Sequence, residues 1–151
     1  MTELFFVDTN VLVYRRDASE RTKCPRARAW VDRLWLSRAG RLSTQVLQEY
    51  YQTVTRKLRP GIPRREARDE IRDLVVWRPV RISSELMERA FQCEDRFGFS
   101  FWDSLIVAAA QAASCTYLLT EDLQDGQQLD DVTIVNPFQH DPDELLPDSQ
   151  R

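Results

Sequence analysis

Residues 4–14 read Leu-Phe-Phe-Val-Asp-Thr-Asn-Val-Leu-Val-Tyr, and the order of residue types in this stretch decides the fold class. Leu4–Val7 is an uninterrupted apolar run with the length of a buried strand. Asp8-Thr9-Asn10 then interrupts it with three short polar side chains of the kind that favour turns and helix N-caps. Val11–Tyr14 resumes the apolar character as the first turns of a helix. A strand apolar on both faces that passes through one polar turn into a helix is the opening of an α/β unit with a parallel sheet.

The same alternation continues outward. Arg15–Lys23 is a polar loop, and Pro25 suits a helix first turn. Ala27, Trp30, Val31 and Leu34 follow at helical spacing, with Gly40 as the expected stop. A short strand near Arg41–Ser43 leads to a helix over about Thr44–Lys57, with Val46, Leu47, Tyr50 and Val54 inward. Pro60-Gly61 breaks it, and Pro63 opens another helix. Val75–Trp77 or Val80–Ile82 supplies the next strand. Ser84–Phe97 is amphipathic and ends at Gly98. Ser100 caps a helix over Phe101–Ser114 that is apolar nearly all round and therefore buried. Tyr117–Thr120 and Val132–Val135 are the last strands. From Gln139 the chain turns acid-rich and proline-containing, as a solvated extension does.

The 151 residues, 42% hydrophobic and 30% charged, suit one soluble domain with a sizeable core. No apolar run is long enough to span a bilayer, and no signal peptide is visible at the N-terminus. Cys24, Cys93 and Cys115 are odd in number and widely spaced, which argues against a disulfide framework and fits a reducing cytoplasm. One histidine, His140, and no CxxC pair argue against a structural zinc site. Charge is segregated. Residues 1–96 hold 20 Lys/Arg against 14 Asp/Glu, a net of +6, whereas residues 97–151 hold one Arg against 10 acids, a net of −9. A basic part beside an acidic part suggests a polyanion partner next to a cation site; solvated helix faces of segregated sign are the plainer reading.

Four carboxylates fall where a site is expected. Asp8 follows the first strand, and Asp122 lies two residues past the strand ending at Thr120; ligands of open parallel sheets bind at the carboxyl ends of strands. Glu49 sits about 60° from Val46 on its helix, on the flank of the apolar stripe. Asp103 is in the first turn of the buried helix. Each also has an ordinary role: Asp8 as an N-cap, Asp103 in a capping box with Ser100, Asp122 in a turn, Glu49 on a half-exposed helix face. Brought together, the four repel, about 4 kcal/mol for two unit charges 4 Å apart at an effective dielectric of 20. A hard divalent cation offsets that, and oxygen-only ligands favour Mg²⁺ or Mn²⁺.

The stretches FFVDTNVLVY, STQVLQEYYQTVTRK, FSFWDSLIVAAA and LLTEDLQDGQ, in this order, resemble PIN-domain nucleases, and among them the VapC-type toxins of bacterial toxin–antitoxin pairs. The resemblance runs from about Leu4 to Phe138. It implies an α/β three-layer sandwich whose five-strand, mainly parallel sheet has order 3-2-1-4-5 and is flanked by helices. It implies a nuclease domain over residues 1–138, with 139–151 left as an acidic, flexible C-terminal tail. Asp8, Glu49, Asp103 and Asp122 carry over as the acidic, metal-holding quartet, Asn10 and Thr120 as polar helpers, Thr9 as a weaker helper and Asp125 as an extra acid. The implied activity is Mg²⁺- or Mn²⁺-dependent endoribonuclease cleavage that leaves a 5′-phosphate. The implied partners are an RNA substrate, a second copy of the chain and a small inhibitory antitoxin.

On this reading the basic segments Arg15–Arg28 and Arg56–Arg68 contact RNA phosphates. Tyr50, Tyr51 and Trp35 are candidates for stacking on bases or meeting a partner, while Trp30 falls on a core stripe. Receiver-type and dehalogenase-type phosphoryl chemistry fit less well: no Lys follows Lys57, and Asn10 stands where a second Asp would be needed. The remaining alternative is a non-catalytic PIN-like module that binds RNA or protein.

Overall fold

The computed structural model describes residues 3–147. Its centre is β1 (Phe5–Val7), whose three side chains are all buried, so both faces of the strand are covered, as the unbroken apolar run requires. β1 lies between β2 (Gly40–Arg41) and β3 (Tyr117–Leu119), parallel to both. β5 (Val132–Val135) runs parallel to β3 on the far side, and β4 (Gln128–Leu129) pairs antiparallel at that edge, giving the spatial order β2-β1-β3-β5-β4.

Beyond β2 the sheet is extended by one bridge only, Ser43 to Val80, in which the Val80 amide donates to the Leu42 carbonyl at 3.0 Å and Thr44 donates to the Val80 carbonyl at 2.9 Å. With Val80 in third place, the parallel pairings follow the expected 3-2-1-4-5 order. The expected strand is cut to a single residue for local reasons. Val75–Trp77 is a 3₁₀ turn closing the preceding helix, Arg78 is left-handed (φ 54°), and Pro79 has no N–H to donate.

The helices are α1 (Thr9–Tyr14), α2 (Lys23–Ser37), α3 (Thr44–Gln52), α4 (Arg64–Leu74), α5 (Ser84–Phe97) and α6 (Phe101–Ala112). Ser43, Ser83 and Ser100 each accept a hydrogen bond from a backbone amide of the first turn, which starts α3, α5 and α6 where the sequence predicts. Gly98 closes α5 in the left-handed region (φ 74°). Two expectations change. α3 does not stay regular to Lys57: Thr53–Lys57 widens into a π turn, and the Thr55 hydroxyl donates to the Tyr51 carbonyl at 2.6 Å, competing with the helical ladder. The left-handed cap of α2 is Arg38 (φ 59°), not Gly40. Gly40 is needed for another reason, because a Cβ there would stand 2.6 Å from the Trp77 ring.

The segment from Gln139 departs from a solvated extension over its described part. The buried Trp30 indole donates to the carbonyls of Pro137 and His140, both at 3.0 Å, and Leu146 is 5% exposed. Arg33 of α2 pairs with Asp143 and donates to the Leu146 and Pro147 carbonyls; Arg26 pairs with Asp141 at 3.2 Å. Asp141 and Asp143 are thus counter-ions for Arg26 and Arg33 of α2. Residues 148–151 lie outside the described residues. Among the described residues no helix is long and apolar enough to cross a membrane.

Candidate active site

Strand register places the first two site residues abreast. Val7 pairs with Leu119, so Asp8 and Thr120 emerge side by side at the carboxyl ends of β1 and β3. The Asp8 amide donates to the Leu119 carbonyl at 3.1 Å, and the buried Thr120 hydroxyl donates to Asp8 Oδ2 at 2.8 Å. Asp8 is at the same time the N-cap of α1, its Oδ1 accepting from the Thr9 amide at 2.7 Å. The ordinary role and the site role coexist in one side chain, one oxygen serving each.

Asn10 joins the two strand-end acids. Its Nδ2 lies 3.3 Å from Asp8 Oδ2, 3.1 Å from Asp122 Oδ2 and 3.1 Å from Thr120 Oγ1. The Asp122 amide donates to the same Thr120 hydroxyl at 3.1 Å. Glu49 reaches the group from α3 through Thr9, whose hydroxyl donates to Glu49 Oε1 at 3.2 Å. Asp103 stands in the first turn of α6, its amide bonded to Ser100 Oγ at 3.1 Å. It makes no direct hydrogen bond to the other three acids.

The electrostatics show that the four acids share one region. Burial, with added repulsion from Asp122 and Glu49, raises Asp8 from its ordinary 3.8 to about 7, against the lowering effect of the Thr120 and Thr9 hydrogen bonds. Glu49 is pushed up by partial burial and then by Asp103 and Asp122, and Asp103 by partial burial and Asp122. Negative charge gathered without compensation at the ends of parallel strands is the setting for a hard cation, and every donor in the set is an oxygen. Among the described residues no three His, Cys, Asp or Glu side chains converge closely enough to hold one ion directly. The donor chemistry of the quartet fits a hard divalent cation, and the Asn10 amide bridges Asp8 and Asp122.

Asp125 does not join this group. Its Oδ1 accepts from the Asn136 amide at 2.8 Å and its Oδ2 meets His140 Nε2 at 2.9 Å, so both oxygens are committed to the segment that follows β5. Three residues near the site carried no sequence signal strong enough to single them out. Gln45, buried one turn before Glu49, donates to the Trp102 carbonyl at 3.4 Å and ties α3 to α6. Glu121 pairs with Lys23 at 2.8 Å. Gln45 shares a helix face with Glu49 and Glu121 adjoins Asp122, so spacing could have found both; nothing in the sequence links Lys23 to position 121.

The first basic segment is also reassigned. Arg15 pairs with Glu70, Arg16 with Glu66 and Glu70, Lys23 with Glu121 and Arg26 with Asp141, while Arg28 donates to the Arg15 carbonyl. In the second segment Arg56, Lys57, Arg59, Arg64 and Arg65 are exposed and make no ion pair among the described residues.

The parallel strand order, with acids at the C-terminal ends of adjacent strands, is matched by a family model: the chain belongs to the PIN domain family, whose match spans residues 5–130. Solved structures narrow the likeness to toxins. The chain is similar to Mycobacterium tuberculosis VapC20, described as a sarcin–ricin loop cleaving toxin, with 25% identity, a TM-score of 0.60, and 78% of this chain and 91% of that one covered. It shares the fold of a Klebsiella pneumoniae toxin–antitoxin complex component (19% identity, TM-score 0.60, 87% and 96% covered). It also shares that of Rickettsia felis VapBC2, solved with a fragment of promoter DNA (13% identity, TM-score 0.55, 87% and 96% covered). No curated protein sequence matches the chain significantly.

Proposed function

We propose that this protein is a metal-dependent endoribonuclease acting as the toxin of a toxin–antitoxin pair. The observation that carries the reading is the convergence of Asp8, Glu49, Asp103 and Asp122 on one region where their charge is uncompensated. PIN family membership and the 25% identity to a protein described as a sarcin–ricin loop cleaving toxin support it.

Asp8, Asp103 and Asp122, with Glu49 completing the set, would hold Mg²⁺ or Mn²⁺, which when bound polarises a phosphoryl oxygen and lowers the pKa of a coordinated water. The protein's own contribution is placement. Asn10 and Thr120 fix the facing oxygens of Asp8 and Asp122. Thr9 fixes Glu49, which is exposed and free to orient an attacking water. The unpaired cations Arg56, Lys57, Arg59, Arg64 and Arg65 would contact RNA phosphates and make binding salt-dependent. The protein would work in the cytoplasm as a homodimer, inhibit translation, and be held in check by a small antitoxin.

Asp103→Asn tests the core of this reading. The purified variant should keep its circular dichroism and unfolding midpoint but lose RNA cleavage in Mg²⁺ or Mn²⁺, and wild-type-like cleavage would sink it. The reading as a non-catalytic interaction module draws on the absence of three directly convergent ligands among the described residues. A Mn²⁺ titration that shows no acid-dependent binding decides in its favour.

A further inference from the structure

Asp122 lies outside any strand or helix, exposed on the turn after β3, yet it has to hold its carboxylate opposite Asp8. Its own backbone is fixed on one side by the Thr120 hydroxyl. The side chain next to it, Glu121, is fixed on the other. Glu121 Oε2 accepts from Lys23 Nζ at 2.8 Å, and Lys23 is the first residue of α2, 98 positions away in the chain. The ammonium is seated on aromatic rings: it stands 4.8 Å from the Tyr14 ring centre and 5.5 Å from that of Phe138, and these two rings meet edge to face at 5.2 Å. Tyr14 ends α1, the helix capped by Asp8, and Phe138 follows β5. One ammonium thus joins the end of the Asp8 helix, the start of α2, the exit of β5 and the turn that carries Asp122.

Resting on the metal-site reading above, we infer that Lys23 is a positioning residue: with Tyr14 and Phe138 it clamps Glu121, and through Glu121 it sets where the Asp122 carboxylate stands relative to Asp8. The role differs from that of a phosphate contact, which the basic character of residues 15–28 suggests from sequence. Lys23 is only 37% exposed in its side chain, and its nearest partner is an acid of the same chain. A group that orients a ligand without touching the ion affects ion affinity more than substrate affinity. The clamp is polar at its tip and apolar along its stem, so Lys23→Met keeps the packing against Tyr14 and Phe138 while removing the bond to Glu121.

The test is a Mn²⁺ titration by calorimetry on the EDTA-stripped full chain, alongside RNA cleavage kinetics. Lys23→Met should weaken Mn²⁺ binding about tenfold, lower kcat with little change in the KM for RNA, and leave the salt dependence of RNA binding as in wild type. Lys23→Arg, which keeps the ion pair, should restore most of the Mn²⁺ affinity. Glu121→Gln should reproduce the defect, and the Lys23→Met/Glu121→Gln double variant should be no worse than either single one. Wild-type Mn²⁺ affinity in both single variants overturns the clamp. So does a raised KM with a shallower salt slope and unchanged Mn²⁺ binding, the signature of a phosphate contact. Asp122→Asn in the same titration separates this inference from the reading it rests on. If Asp122→Asn binds Mn²⁺ as wild type does, the metal site itself is misassigned; if it alone loses binding, the site stands and the clamp falls.

Discussion

In the absence of divalent ions the protein should become less stable as pH rises through neutrality, and Asp8 should be the cause. Asp8 is raised from 3.8 to about 7 in the folded protein, chiefly by burial and secondarily by Asp122 and Glu49. In the unfolded chain it returns to its ordinary value. Between those two values the folded state binds the proton and the unfolded state does not, so the contribution is fully present below about pH 4 and is lost as pH rises through 7. A gap of about three pH units at about 1.4 kcal/mol each gives about 4 kcal/mol in all. Between pH 5.5 and 8 the Asp8 share of the loss is about 2 kcal/mol. His140 changes stability in the same direction, since its raised value falls back in the unfolded chain. The informative quantity is therefore the difference between wild type and Asp8→Asn, from which His140 cancels. Asparagine keeps the N-cap, and any misfit with the Asn10 amide is a pH-independent offset. The assay is urea unfolding in EDTA at intervals from pH 5.5 to 8. Wild type should lose about 2 kcal/mol more than the variant. Saturating Mg²⁺ or Mn²⁺ at pH 8 should return about 3 kcal/mol at a hundredfold excess over Kd, to wild type only. Parallel pH profiles for the two proteins would refute the claim that Asp8 is held uncompensated in the folded state.

Three further perturbations test other parts of the structure. Changing Arg56, Lys57, Arg64 and Arg65 together to alanine should weaken RNA binding and reduce the magnitude of its log-log salt slope by about 0.7–0.9 per lost phosphate contact; filter binding at several salt concentrations would show it, and an unchanged slope would remove this segment from the RNA path. Gly40→Ala drives a methyl to 2.6 Å from the Trp77 ring and should cost about 1–3 kcal/mol by denaturant titration; a neutral result would mean that the 3₁₀ turn carrying Trp77 yields easily. Trp30→Phe leaves the Pro137 and His140 carbonyls without their shared donor and should cost about 1–3 kcal/mol, with faster proteolysis of residues 139–147 as the local readout.

Much of the fold was legible because local chemistry and tertiary packing agree. The apolar run before Asp8, the Ser100 cap and Gly98 each specify an element that the packed chain has no reason to overrule. The reading failed where a residue's role is set from a distance. Gly40 has the composition of a helix stop, but its requirement comes from Trp77, 37 positions later. A local miss stands beside it: Val80–Ile82 is apolar enough for a strand, yet the adjacent left-handed Arg78 and Pro79 leave it one pairing residue. At the site, the expected acids lie within electrostatic reach of one another, as do the helpers Thr9, Asn10 and Thr120 within hydrogen-bond reach. Asp125 was misplaced because an acid in a polar loop carries no mark of whether its partners are a metal or a backbone amide.

The charge segregation along the chain takes on a different meaning once the ion pairs are traced. A net of +6 followed by −9 invites the idea of a basic face for a polyanion. Yet Arg26 and Arg33 neutralise Asp141 and Asp143, Lys23 neutralises Glu121, and Arg15 and Arg16 are held by Glu66 and Glu70. Part of the N-terminal positive charge is thus a structural counter-charge, some of it for acids more than a hundred residues away. The basic residues without an ion pair among the described residues include a run between Arg56 and Arg65, directly after the helix that carries Glu49. Among the acids without an ion pair in the described residues, the quartet is the set gathered at the strand ends. A polyanion drawn to the first would still be repelled by the second, so productive RNA binding should require the divalent ion as well as the arginines. That coupling is measurable: RNA affinity should rise with Mn²⁺ in wild type, and the rise should be smaller in Asp122→Asn, whereas a site that served RNA binding through its arginines alone would show no such dependence.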